Sequence, residues 1–181
     1  MFTKLKTPNT STYHEVKELL IGQDFPWFWT DFTVENVEES RWNNDGYYGH
    51  VLLARPRSNV MPGPLFSAPQ SQWLEKIYPI IEDVVSANPD LNINTLHRIN
   101  ANLVHGGNEL MTPPHVDHQF PHWNMLIYLT DVGGPTILTD ESFKEIDSFH
   151  PKEDDIVVFR GWHGMIPPPQ GRRIVLVVTF S

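Results

Sequence analysis

Two histidines and an aspartate stand at spacings that can close around a metal ion. His115 and Asp117 form a His-x-Asp pair, and His163 lies further along, at the end of an apolar strand and a turn. In an extended strand, side chains two positions apart leave the same face, so His115 and Asp117 can chelate one ion while Val116 turns away. Pro113 and Pro114 stiffen the approach and suit an edge strand. Two imidazoles and one carboxylate on one face of a metal leave three coordination positions open to reactants. Past His163 comes the doublet Arg172 and Arg173, and a guanidinium offers a planar fork to a carboxylate. A lone His-x-Asp is a weak signal in a chain with nine histidines. The weight rests on the whole set occurring in order.

Composition narrows the classes. At 181 residues, 40% of them hydrophobic, the chain has the length of one domain with a core of its own, 1–181. A net charge of -9 argues against a nucleic-acid surface, which rests on clustered Lys and Arg. The absence of cysteine excludes disulfides, thiolate-bound zinc, iron–sulfur clusters and a cysteine nucleophile. No apolar run is long enough for a signal peptide or a membrane span, so a cytoplasmic protein without membrane contact is expected.

The elements that must position these residues fall into two parts. Residues 13–21 read as a short helix, with Val16, Leu19 and Leu20 at helical spacing. The aromatic cluster Phe25, Trp27, Phe28 and Trp29 reads as packing against the outside of a sheet. Residues 47–54 are β-like, and 55–69, with four prolines, an irregular loop. The stripe Trp73, Ile77, Ile80, Ile81, Val84 and Val85 predicts a helix over 70–87, which Pro79 must kink or start late. From 97 onward the pattern changes to short strands: 97–104, 114–118, 123–130, 136–139, 143–149, 156–160, 162–166 and 172–180. Eight strands after a helical part predict a mainly β (α+β) fold, a double-sheet jelly roll with N-terminal helices on one sheet.

The segment Asp155-Ile-Val-Val-Phe-Arg-Gly-Trp-His163-Gly-Met, the three prolines after it and the basic last strand resemble the distal half of prolyl-hydroxylase-like Fe(II)/2-oxoglutarate-dependent oxygenases, including small bacterial and phage-encoded members. Asn124-Met-Leu-Ile-Tyr-Leu-Thr-Asp-Val-Gly-Gly-Pro-Thr136 resembles their strand and Gly-Gly-x-Thr turn. The resemblance covers 97–180 and implies a double-stranded β-helix. It leaves 1–96, the helical part, to shape substrate choice. It implies Fe(II) held by His115, Asp117 and His163 as the catalytic centre, with 2-oxoglutarate and O2 as co-substrates. The reaction it implies is hydroxylation of a peptide residue or small molecule with release of succinate and CO2.

A buried distal carboxylate of 2-oxoglutarate needs a cation and a hydroxyl. Tyr128, just before Leu129 and Thr130, is the hydroxyl candidate, on a strand face with Asn124 and Leu126. Between the arginines, alternation selects Arg173: Val175, Val177 and Thr179 then face inward with it, and Ile174, Leu176, Val178 and Phe180 form a continuous apolar outer face. Family members also tend to place the binding arginine directly before an Ile-Val-like pair, as Arg173 stands here. Arg98, Asn100 and Asn102 share one strand face, which either lines the pocket or meets solvent. In the first case Asn102 and His105 are candidates to touch co-substrate or substrate. His118 and His122 are read as packing or solvated residues. The competing reading is a cupin-like metal-binding or isomerase domain without 2-oxoglutarate chemistry. A nucleobase-repair oxygenase is disfavoured by the acidic balance.

Overall fold

Side chains along the last strand, β11 (Arg172–Phe180), alternate between two environments, and the architecture follows from that alternation. The computed structural model describes every residue except 36, 38–40 and 58–62. In it β11 is central to an eight-stranded antiparallel sheet, with β5 (Leu96–His105) on one side and β6 (Trp123–Tyr128) on the other. Beyond β6 lie β9 (Ile156–Phe159) and then β1 (Thr3–Leu5). Beyond β5 lie β3 (Tyr47–Ala54) and β2 (Phe28–Thr30), with β4 (Ala68–Pro69) also paired to β3. A second sheet runs β10 (Trp162–Met165), β7 (Thr136–Thr139), β8 (Glu145–Phe149). Among the described residues no strand pairing joins the two sheets.

One face of the large sheet carries Ile174, Leu176, Val178 and Phe180 beside Ile99, Ala101 and Leu103 of β5 and Met125 and Ile127 of β6. Helices α1 (Ser11–Ile21) and α3 (Pro79–Ala87) bury Tyr13, Val16 and Leu20, and Ile80, Ile81 and Val84, in the same apolar cluster. Thr10 caps α1 by accepting the Tyr13 N–H. Lys17, almost fully buried, anchors α1 to the turn before β9 through Glu153 and Asp154. The stripe expected as one helix over 70–87 is divided into α2 (Leu74–Ile77) and α3. Pro79 starts α3, where its missing N–H costs nothing. The opposite face carries Arg173, Val175, Val177 and Thr179 in register with Val104, Asn102, Asn100 and Arg98.

Three expectations need correction. Residues 1–96 are not chiefly helical, because β1, β2, β3 and β4 all join the large sheet. β3 in particular lies against β5, the strand that carries the polar row. The expected strand 114–118 is reduced to an isolated bridge between His115 and His163, since Pro113 and Pro114 have no N–H with which to continue a ladder. The strand expected from 143 begins at Glu145, because Phe143 has φ 65° in a turn where Asp140 Oδ1 accepts from Ser142 and Lys144. Within the expected loop 55–69, residues 58–62 lie outside the described residues. No helix among the described residues is long and apolar enough to cross a membrane.

Candidate metal and carboxylate site

The isolated bridge brings the two histidines together. His115 N–H donates to the His163 carbonyl and His163 N–H to the His115 carbonyl, each at 2.9 Å. Such a doubly bonded antiparallel pair places its side chains side by side, and the ring centroids lie 4.7 Å apart. Gly164 permits this approach, because a Cβ there would meet the Thr112 carbonyl at 2.7 Å. His115 Nδ1 donates to the Pro113 carbonyl and His163 Nδ1 to the Gly161 carbonyl, both at 3.1 Å. A carbonyl only accepts, so each ring carries its proton on Nδ1 and offers the Nε2 lone pair.

Asp117 completes the group. One ligand atom from each of His115, Asp117 and His163 lies within 4.8 Å of the others. The two oxygens of Asp117 are used differently. Oδ1 accepts from Arg98 Nη1 at 2.9 Å, while Oδ2, 3.5 Å from His163 Nε2, is buried without a hydrogen-bond partner. Burial works to raise the Asp117 pKa, but His163, Arg98, His115 and Arg55 more than offset it and hold the carboxyl well below the usual range. Burial, helped by His115, lowers His163 to about 4, so its imidazole is neutral at pH 7. An ionised carboxylate with an orphaned oxygen beside two Nε2 lone pairs fits a divalent metal with one open face.

This group borders a cavity of about 580 Å³ between the two sheets, within the size range of small-molecule sites. Val175, Val177, Leu126 and Asn102 line it from the large sheet, Thr136 and Met165 from the small one. Arg173 lines it too, 5% exposed, whereas Arg172 points outward and is exposed. Arg173 Nη2 donates to Thr136 Oγ1 at 3.0 Å, its Nε has no partner, and no described carboxylate pairs with it. Burial pulls its pKa below the ordinary value. A buried cation without a counter-ion is costly, so the cavity fits an acidic ligand at this end.

Tyr128 stands one step behind the cavity wall. Its hydroxyl is 2.9 Å from Thr136 Oγ1, and the Arg173 guanidinium lies 5.1 Å from its ring centroid. Thr136, which lines the cavity and touches both Tyr128 and Arg173, had no role in the sequence reading, although the Gly-Gly-x-Thr turn contains it. Gly134 sets that turn with φ +84°, close under Ile166 and the Arg173 side chain. Asn102 lines the cavity and accepts from Asn100 Nδ2. His105 opens instead on an adjoining surface groove with Trp29 and Gly106. His118 is buried away from the metal group, 2.7 Å from Thr179 Oγ1 and stacked on Phe120, and His122 packs edge-on against it. Arg98 and Arg55 were given no role from sequence. Arg98 shares the polar face of β5, which was the available signal. Arg55, donating to the Asp117 carbonyl at 3.0 Å, left none.

No protein-family model matches the sequence, and no curated protein matches it. The fold is nonetheless similar to that of solved 2-oxoglutarate–Fe(II) oxygenases. An oxidoreductase of that family from Burkholderia pseudomallei superimposes with a TM-score of 0.71 at 12% identity, over 99% of this chain and 85% of that one. A prolyl hydroxylase from Trichoplax adhaerens, solved with a hypoxia inducible factor oxygen degradation domain peptide fragment, gives 0.54 at 14% identity over 99% and 82%. A prolyl-4-hydroxylase from Pseudomonas putida gives 0.52 at 13% identity over 99% and 91%.

Proposed function

We propose that this chain is one Fe(II)- and 2-oxoglutarate-dependent dioxygenase domain of double-stranded β-helix architecture that hydroxylates a peptide residue or a small molecule. The observation that carries the reading is the pairing, in one cavity, of a two-histidine, one-carboxylate group with a buried arginine that no carboxylate among the described residues pairs. His115 and His163 would hold Fe(II) through Nε2 and Asp117 through Oδ2. When bound, Fe(II) and 2-oxoglutarate supply O2-driven oxidation of a C–H bond, with succinate and CO2 released. The chain's own part is to bind and orient. Arg173 and Thr136 receive the distal carboxylate, Tyr128 holds Thr136, and Val175, Val177 and Leu126 keep water from the walls. A cupin-like isomerase or simple metal-binding domain would have no use for a buried Arg173 without a carboxylate partner among the described residues, which favours the oxygenase.

The test is calorimetric binding of Mn(II) and 2-oxoglutarate to the purified protein, followed by Fe(II)-dependent succinate formation. Ala at 115, 117 or 163 should abolish tight metal binding, whereas His118→Ala should leave it intact. Full metal occupancy in Asp117→Ala would sink the assignment.

A further inference from the structure

Of the aromatic cluster 25–29, Phe25 and Trp27 pack in the apolar cluster of the large sheet, but Trp29 stays 57% exposed and walls the groove on which His105 opens. We infer that this groove is a second subsite for an extended polypeptide substrate, and that a large apolar side chain flanking the reacting residue packs on the Trp29 ring. The inference deepens the oxygenase reading and rests on it. Groove and metal cavity are joined, because Thr33, Tyr47, Val104, Thr112 and Met165 line both. The groove holds about 240 Å³. Phe32, 39% exposed, lines the cavity just beyond Trp29, so a partly exposed aromatic ring stands at each of the two.

Trp29 is exposed but fixed. Its Nε1 donates to Asp31 Oδ1 at 2.8 Å, and its ring lies edge-on to Tyr48 with centroids 5.1 Å apart. Against it stands Gly46, where a Cβ would meet the indole at 2.2 Å. Among the described residues no further ring or cation packs on the indole. A large ring left in water is unfavourable for the free protein, and a ligand covers it without first having to order it. Size points to the class of ligand. At about 580 Å³ the metal cavity has room for the co-substrate and a small metabolite together, which would leave the groove unused. An extended chain places successive side chains on opposite faces, about 3.3 Å apart, so one residue enters the cavity while a neighbour lies on Trp29. Its backbone also needs hydrogen-bond partners along the way. The groove offers Asp45 and His105, whose side chains hold no hydrogen bond among the described residues.

The probes are N-acetylated, C-amidated hexapeptide mixtures with one position fixed as Gly, Leu, Phe or Trp, and the N-acetyl methylamides of single amino acids. They are titrated with protein loaded with Mn(II) and 2-oxoglutarate. Binding is read from broadening of the peptide proton signals by the paramagnetic ion, with Zn(II)-loaded protein as the blank. At one position Phe or Trp should bind about fivefold more tightly than Gly. Hexapeptides should bind about tenfold more tightly than any blocked single residue. Trp29→Ala and Trp29→Gln should lose the preference, Trp29→Phe should keep part of it, and all should retain Mn(II) and 2-oxoglutarate. The inference is overturned if no hexapeptide mixture binds, if single residues bind as well as hexapeptides, or if the preference survives in Trp29→Ala or Trp29→Gln. Failure of the wild-type protein to bind Mn(II) or 2-oxoglutarate would overturn the oxygenase reading and this inference with it, whereas a negative peptide result with both bound strikes this inference alone.

Discussion

Arg173 and Arg172 are adjacent and chemically identical, yet they should differ sharply in function. Arg173 is buried over the cavity with Thr136 as its hydrogen-bonded protein partner, while Arg172 is exposed. Removing one partner of a buried charge pair costs about 3–5 kcal/mol, so Arg173→Ala should weaken 2-oxoglutarate binding by roughly two to four orders of magnitude. Arg172→Ala should leave it near wild type. Thr136→Val tests the hydroxyl that Arg173 donates to: a bond to a charged group contributes about 1.5–3 kcal/mol. Tyr128→Phe removes a hydroxyl that touches Thr136 and lies beside the Arg173 guanidinium but stands behind the cavity wall, and should have the smaller effect. Calorimetric dissociation constants for the four variants check this order, and a larger loss in Tyr128→Phe than in Thr136→Val would place the tyrosine in direct contact with the ligand.

At the scale of elements, the site depends on short turns that force close approach. Gly134, between β6 and β7, has a positive φ, and a Cβ there would lie 2.8 Å from the Ile166 carbonyl and 3.2 Å from Arg173 Cδ. Left-handed backbone at a non-glycine residue costs about 1–3 kcal/mol before any clash. Gly134→Ala should therefore lower stability in urea by at least that much and weaken 2-oxoglutarate binding, with metal binding preserved because His115, Asp117 and His163 lie elsewhere. An unchanged unfolding midpoint would show that the turn tolerates a side chain. The bridge at His115 follows the same logic. Two prolines end the ladder at a single pair of hydrogen bonds, leaving Asp117 free to turn toward His163 rather than continue a strand.

Over the whole molecule, burial of neutral histidines makes the metal-free protein sensitive to acid. Burial, with His122 adding to it, pushes His118 down to about 3, and His163 falls to about 4. Between those values and the ordinary 6.5, the unfolded chain binds more protons than the folded one, so stability rises with pH across the window. Lowering the pH from 6.5 to 5 should remove about 2 kcal/mol for each of the two groups. Asp117, held below its ordinary range, works in the same direction at lower pH. Urea unfolding at pH 7.5 and 5 should show this loss, and His118→Gln should reduce it by about half. A His118→Gln variant with the full pH dependence would mean that His118 is not held neutral.

Much of this was legible in the residues alone, where local physics decides. Period-two alternation placed Arg173 inward and Ile174, Leu176 and Val178 outward, because a one-residue slip would bury a charge against the helices. The His-x-Asp motif named both donors, although the strand that was to align them is reduced to the bridge at His115, and Pro79 marked where α3 starts. Contacts between distant segments were not legible. No spacing rule brings Arg55 to Asp117, 62 positions away, or sets Thr136 between Tyr128 and Arg173. Nor does local pattern show that β1 and β3 complete the large sheet, since strand partners are chosen by the faces that must be buried together. The sequence determined which chemistry was available; the tertiary structure decided which oxygen of Asp117 stays open and which cations surround it, because those depend on packing between elements far apart in the chain.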